Sequence, residues 1–293
     1  MADGAIWRFD AIGTSWQIET AEPLAPNMRA EVERLIEGFD AEWSRFRPDS
    51  LVSLLARDGG SVPAPRDAGD MLDAYAALSD ATGGAVNPLV GASLERLGYD
   101  PALSLVDRGA LRAPADWRAR LTWGDRLALS EPAVIDVGAL GKGRLVDLVM
   151  ALIAPAVSGD VVVDASGDLA MRGAPQRIGL EHPFDAHRAI GVWQVTDAAL
   201  CASATNRRAW GDGLHHVLDA RTGMPVRTIA ATWAVADSAM RADAVSTALF
   251  FAGGPRLAHD WDVEWVRMTT DGAIEWSPGC SAELFVRTAS VER

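Results

Sequence analysis

Ile135-Asp136-Val137-Gly138-Ala139-Leu140-Gly141-Lys142-Gly143-Arg144-Leu145-Val146-Asp147 is the stretch on which the reading of this chain turns. The apolar run Ala133 to Val137 predicts a buried strand. Leu145, Val146, Leu148, Val149 and Leu152 fall at helical spacing and predict a helix over 142–153. Between the two sits Lys142, flanked by glycines. It is the only lysine in the chain, the other 26 of the 27 basic residues being arginines. A lysine is a slim point charge where an arginine is a broad planar fork. Glycines let a backbone approach a ligand closely, and a helix N-terminus offers free N–H groups to an anion. Two readings stand at this point: a loop and lysine that hold phosphate, or a lysine kept on a surface loop without a role.

The chain has 293 residues, 49% of them hydrophobic and 23% charged, which suits one large globular unit or two closely packed ones. Neither a linker, a low-complexity tract nor an internal repeat breaks it, so residues 1–293 read as a single domain. A net charge of −13 argues against a nucleic-acid surface and against docking on an anionic membrane. Any phosphate bound here must be held locally against that field. Met1 to Ala5 has neither a basic start nor an apolar core, and no apolar run approaches the roughly 18 residues that span a bilayer. Cys201 and Cys280 lack metal-like spacing, and nothing calls for a disulfide between them. The expectation is a soluble, cytoplasmic protein without membrane insertion.

Outward from the central stretch, residues 5–19 alternate as a strand interrupted at Gly13, and 27–42 carry Met28, Val32, Leu35, Ile36 and Phe39 at helical spacing. Phe46 to Ser50 is a turn whose serine can cap a helix from Leu51 to Ala56. A further helix over 67–82 stops at Gly83-Gly84. Residues 85–130 read as loops with short elements. Val161-Val162-Val163 is a strand covered on both faces. Strands are predicted at 169–172, 177–181, 189–195, 198–202 and 232–235, then a helix over 238–252 and a hairpin of 263–269 with 273–277.

Asp243 and Thr247 lie four apart on the last helix and share a face. A carboxylate and a hydroxyl so stacked supply two hard oxygens suited to Mg²⁺ completed by substrate phosphates. An aspartate near a helix start and a threonine bonded to its own helix give the same spacing. His216, Leu218 and Ala220 would share one strand face ahead of the turn Asp219 to Gly223, where His216 is either a proton carrier or a structural histidine. Asp164 to Asp168 follows the buried valines, a position where ligands often bind and where tight turns also occur. Thr82 to Pro88 is a binding segment or simply a helix stop.

Taken in order, the segments Ile12-Gly13-Thr14, Phe46 to Ser50, Gly84 to Pro88, Ile135 to Asp147, Ala165 to Asp168, Ala202-Ser203, His215 to Pro225 and Ser238 to Gly253 resemble the ApbE family, flavin transferases that move FMN from FAD onto a protein threonine. The resemblance implies a mixed α/β (α+β) fold, mostly antiparallel sheets flanked by helices, with an FAD cleft between subdomains. It implies a Mg²⁺ site of Asp243, Thr247 and the Ala139 carbonyl. Thr14, Ser44, Asn87, Asp136, Lys142 and Asp147 are implied as FAD contacts, with Gly167, Asp168, Ser203, His216 and Thr222 beyond them. His216, Asp243 and Lys142 would carry the catalysis, and a threonine-bearing protein would be the acceptor, with AMP released. The chain departs from the family pattern at Ser166, Ala204, Ala220, Val86-Asn87, Arg144 and Leu55-Ala56. An FAD pyrophosphatase forming FMN and AMP, and a non-catalytic FAD binder, are the alternatives. FAD would be substrate and Mg²⁺ cofactor.

Overall fold

The computed structural model describes residues 4–285. Met1 to Asp3, part of the N-terminal segment read above, lie outside the described residues. One eight-stranded sheet takes its strands in chain order, every neighbouring pair antiparallel: β1 (Ala5–Ala11), β2 (Thr14–Thr20), β3 (Val161–Asp164), β4 (Asp168–Arg172), β5 (Ala199–Ala204), β6 (Ile229–Ala236), β7 (Glu264–Thr269) and β8 (Ile274–Trp276). Residues 21–160, between β2 and β3, supply helices α1 (Pro26–Trp43), α2 (Leu51–Asp58), α3 (Ala68–Ala81) and α4 (Gly141–Ile153). Helix α5 (Ala239–Ala248) follows β6. The result is the mixed α/β class with mainly antiparallel sheets that the family resemblance implies.

Alternation along the strands divides the core. Val161 and Val163 point into the large cluster beneath the helices, with Trp16, Ile18 and Tyr75. Val162 joins Trp193, Trp233 and Met268 on the opposite face, under the hairpin Gln176–His182 with Asp185–Val195. Both faces are therefore covered, which is why the valine run is uninterrupted although its sheet is antiparallel. A third cluster, Leu94, Leu97, Trp210, Leu214 and Leu218, holds together a small lobe built from two loop-rich segments.

Several boundaries follow from local chemistry. Gly13 turns β1 into β2 with φ +71°. The Ser50 hydroxyl accepts the Ser53 N–H and caps α2 as predicted. Gly84 N–H reaches back to the Ser79 carbonyl and closes α3. Three expectations need correction. Ala133 to Val137 is an irregular segment. Ile135 is buried, but the Asp136 N–H donates to the Pro88 carbonyl at 2.8 Å and the Asp136 carbonyl accepts the Tyr75 hydroxyl at 2.9 Å. An apolar run records burial, and here the backbone partners are a loop and a side chain. His216 to Ala220 is no continuous strand either, because the His215 ring accepts the Val217 N–H and bends the chain at His216. The helix expected over 238–252 stops at Ala248, where Phe250 and Phe251 turn back onto Thr247 and Ala248 through tight bonds. Among the described residues no helix is long and apolar enough to cross a membrane.

Candidate active site

A cleft of about 990 Å³ opens between the sheet-and-helix body and the small lobe. Its walls are the β1–β2 turn, the α1–α2 connection, residues 136–142, the turn after β3, the end of β5 and the inner face of α5. Thr14, Ser44, Asn87, Asp136, Ala139, Lys142, Gly167, Asp168, Ser203, His216, Asp243 and Thr247 all line it, although the chain separates the first from the last by most of its length.

The centre lies where α4 starts against α5. Gly143 permits the approach, since a Cβ there would stand 2.2 Å from the Ala239 carbonyl oxygen. The Gly143 N–H, one of the free donors of the first turn, gives its hydrogen to the Asp243 carboxylate at 3.0 Å. One turn on, the Thr247 hydroxyl donates to the Ala139 carbonyl at 3.2 Å. Asp243, Thr247 and Ala139 thus bring three oxygens together from two distant segments.

Lys142 is committed. Its ammonium has three hydrogens, and it faces the Ala165 carbonyl at 3.0 Å, the Asp168 carboxylate at 3.1 Å and the Ser166 carbonyl at 3.5 Å. Burial opposes its charge, but Asp168 and Asp243 outweigh that and hold the ammonium above the ordinary lysine value. Asp168 is 1% exposed, and among the described residues neither oxygen finds a hydrogen-bond partner beyond this ion pair. Burial first, then the Asp168 carboxylate, raises the Asp243 carboxyl well above the usual range. His216 is half-buried, its Nδ1 without a partner, and burial, Arg208 and His215 lower its pKa to about 3. It is a neutral ring at physiological pH.

Two carboxylates crowded around one ammonium favour a further cation. Mg²⁺ is held by one or two carboxylates, neutral oxygens and substrate phosphates, and the set Asp243, Thr247 and Ala139 fits that donor chemistry. No group of three His, Cys, Asp or Glu side chains converges on a metal position among the described residues. Two named residues lie elsewhere. Asp147 faces away from the cleft and accepts the Ala239 and Met240 N–H groups at 2.7 and 2.9 Å. Thr222 lines a separate groove with Thr82, Arg221 and Phe251, its hydroxyl spent within the Asp219 turn.

Other named residues have partners within the protein. Asn87 bonds the Pro114 carbonyl and the Leu89 N–H, and Asp136 is taken by Arg45 at 2.6 Å and by the Gly138 N–H at 2.8 Å. Sequence reasoning missed Arg45, buried between the rings of Phe46 and Tyr99, and Tyr75, whose hydroxyl bridges the Asp136 carbonyl and the Ala139 N–H. Tyr75 carries a single polar group within the apolar helical pattern of α3 and Arg45 is one of two arginines in the turn after α1, signals that read locally as an ordinary core and an ordinary surface position.

Residues 12–264 match the family model described as the ApbE family. The chain belongs to the ApbE family. An FAD:protein FMN transferase of Rhodobacter capsulatus is 29% identical over 300 residues, covering 94% of this chain and 57% of the relative. One of Treponema pallidum is 27% identical over 256 residues, covering 76% of this chain and 70% of its own length. The chain therefore spans little more than half of the Rhodobacter relative. Among solved structures, this ApbE-family chain superposes on the ApbE protein of Thermotoga maritima with TM-score 0.81 at 22% identity, covering 94% and 97% of the two chains. The flavinyl transferase ApbE of Pseudomonas stutzeri gives 0.78 at 22% identity, covering 94% and 95%. At that identity the likeness shows the fold.

Proposed function

We propose that this protein is a Mg²⁺-dependent FAD:protein FMN transferase that moves FMN from FAD to a threonine hydroxyl of an acceptor protein and releases AMP. The observation that carries the reading is the convergence of Asp243, Thr247 and the Ala139 carbonyl beside the Lys142–Asp168 pair, in a cleft large enough for a dinucleotide. The activity of the relatives and the donor chemistry of the cleft support this reading.

The threonine oxygen forms a bond to the FMN phosphorus, the bond from that phosphorus to the bridging oxygen breaks, and AMP leaves with the electron pair. Mg²⁺ bound by Asp243, Thr247 and Ala139 would neutralise pyrophosphate charge. The neutral His216 ring lies at the cleft wall, where it would take the hydroxyl proton. Lys142 holds the 165–168 turn and adds positive charge to the centre.

Incubation with FAD and Mg²⁺, with and without a threonine-bearing acceptor, tests the proposal through AMP release and covalent flavin on the acceptor. AMP and FMN formed equally without acceptor would make the protein an FAD pyrophosphatase. FAD binding without AMP would make it a flavin carrier.

A further inference from the structure

We infer that Tyr75 and Asp147 are the positioning residues of the cation site, one for each of the two segments that supply its oxygens. They act through other groups and touch neither substrate nor metal. The inference rests on the proposed function for the cation site itself and for the choice of FAD as probe.

The carbonyl half of the site is the bend from Asp136 to Ala139, which belongs to no helix or sheet. Its backbone hydrogen bonds must come from elsewhere. Tyr75, 1% exposed on α3, provides two of them at one atom, donating to the Asp136 carbonyl at 2.9 Å and accepting the Ala139 N–H at 3.2 Å. The same peptide region that presents the Ala139 carbonyl is thereby fixed to a rigid helix. A phenylalanine would fill the volume and leave both groups without a partner.

The side-chain half is α5. Its first two N–H groups, those of Ala239 and Met240, are held by the Asp147 carboxylate from the second turn of α4. Asp243 and Thr247 lie one and two turns farther along the same helix. With Gly143 setting the contact distance and Asp147 setting the axial position, Asp243 meets the Gly143 N–H and Thr247 meets the Ala139 carbonyl. The spacing Lys142-Gly143-x-x-x-Asp147 is thus a helix junction: lysine bonds the turn after β3, glycine stands at the crossing, and aspartate bonds the first N–H groups of α5. Groups that orient metal ligands in this way typically change metal affinity by 10–100-fold when removed.

The test compares Tyr75→Phe and Asp147→Asn with the parent protein. One titration adds FAD in the presence of EDTA, and a second adds Mg²⁺ to the FAD-bound protein, both followed by flavin fluorescence. The expected result is that each substitution raises the Mg²⁺ concentration for half-saturation about tenfold while FAD affinity in EDTA stays within about twofold of the parent. Unchanged Mg²⁺ dependence in both variants overturns the inference. So does an equal loss in the two titrations, which would mark Asp147 as a substrate contact or the change as loosening of the whole cleft. Should Asp147→Asn fail to fold, the isosteric Tyr75→Phe decides. If the parent protein binds no FAD, the flavin reading fails separately, and calorimetric Mg²⁺ titration of the protein alone still compares the three chains.

Discussion

A single ammonium explains why one lysine stands among arginines. Lys142 sends its hydrogens to two carbonyls and a carboxylate grouped at the turn after β3, where Ser166 holds φ +53°. A planar guanidinium cannot converge on acceptors so placed. Lys142→Arg should therefore weaken FAD binding about tenfold, the loss of one buried hydrogen bond, although the charge is kept. Equal FAD titrations for the two proteins would remove the argument. Asp243→Asn should abolish Mg²⁺ dependence of AMP release, with Thr247→Val weakening it less because a hydroxyl is a poorer Mg²⁺ ligand. If Asp243 only satisfied the Gly143 N–H, the asparagine would do so too and metal dependence would survive. His216 supplies the pH prediction. An unfolded histidine takes up its proton near pH 6.5, whereas the folded ring does so only near 3. The unfolded state binds more protons in that window, so stability is full above about 6.5 and is lost as pH falls towards about 3. Thermal melts from pH 7.5 to 4 should show a shallower decline for His216→Asn than for the parent.

At the scale of elements, the α4–α5 crossing is the joint on which the site depends. Gly143→Ala would place a methyl 2.2 Å from the Ala239 carbonyl oxygen and 2.7 Å from the Asp243 Cβ. The helices must separate, at a cost of about 1–3 kcal/mol in a packed core. The displacement falls on Asp243, so the Mg²⁺ requirement should rise together with the loss in urea midpoint. Ser50→Ala makes the comparison informative. It removes the α2 cap for about 1 kcal/mol, yet that helix carries none of the candidate oxygens, and the metal requirement should stay put. A matching rise in both proteins would mean that lowered stability, not the crossing, controls the site.

For the whole molecule, the arrangement of the sheet is the governing fact. Its eight strands run from Ala5 to Trp276 in chain order, while the helices and lobe that complete the cleft are insertions between them. A dinucleotide that bridges body and lobe should be held at both ends. FAD should bind more tightly than either riboflavin or ADP, and riboflavin as tight as FAD would leave the phosphate end of the cleft without a role. Ligand at about 100 times its dissociation constant contributes about 2.7 kcal/mol to the folded state. Saturating FAD should accordingly raise the melting temperature by several degrees, and ADP alone by less.

What the sequence determined by itself was whatever depends on near neighbours. Alternation showed the β1–β2 strands and the closing hairpin, helical spacing showed α1, α3 and α4, Ser50 marked the start of α2, and Gly83 and Gly84 the end of α3. The ordered motifs pointed to the family and to twelve residues that one cleft brings together. Tertiary structure alone decided where each polar group found its partner, because those partners lie far along the chain. Asp147 meets Ala239 across 92 residues, Asp243 meets Gly143 across 100, and Thr247 meets Ala139 across 108. For the same reason Ala133 to Val137 looked like a strand and is an irregular segment, since burial is written in side chains while sheet pairing belongs to the backbone of another segment. Thr222 was placed with the flavin contacts by its motif, yet its turn folds toward a different groove. Periodicity carries the core because burial repeats with the geometry of one element. The site is an intersection of elements, and only packing fixes where they meet.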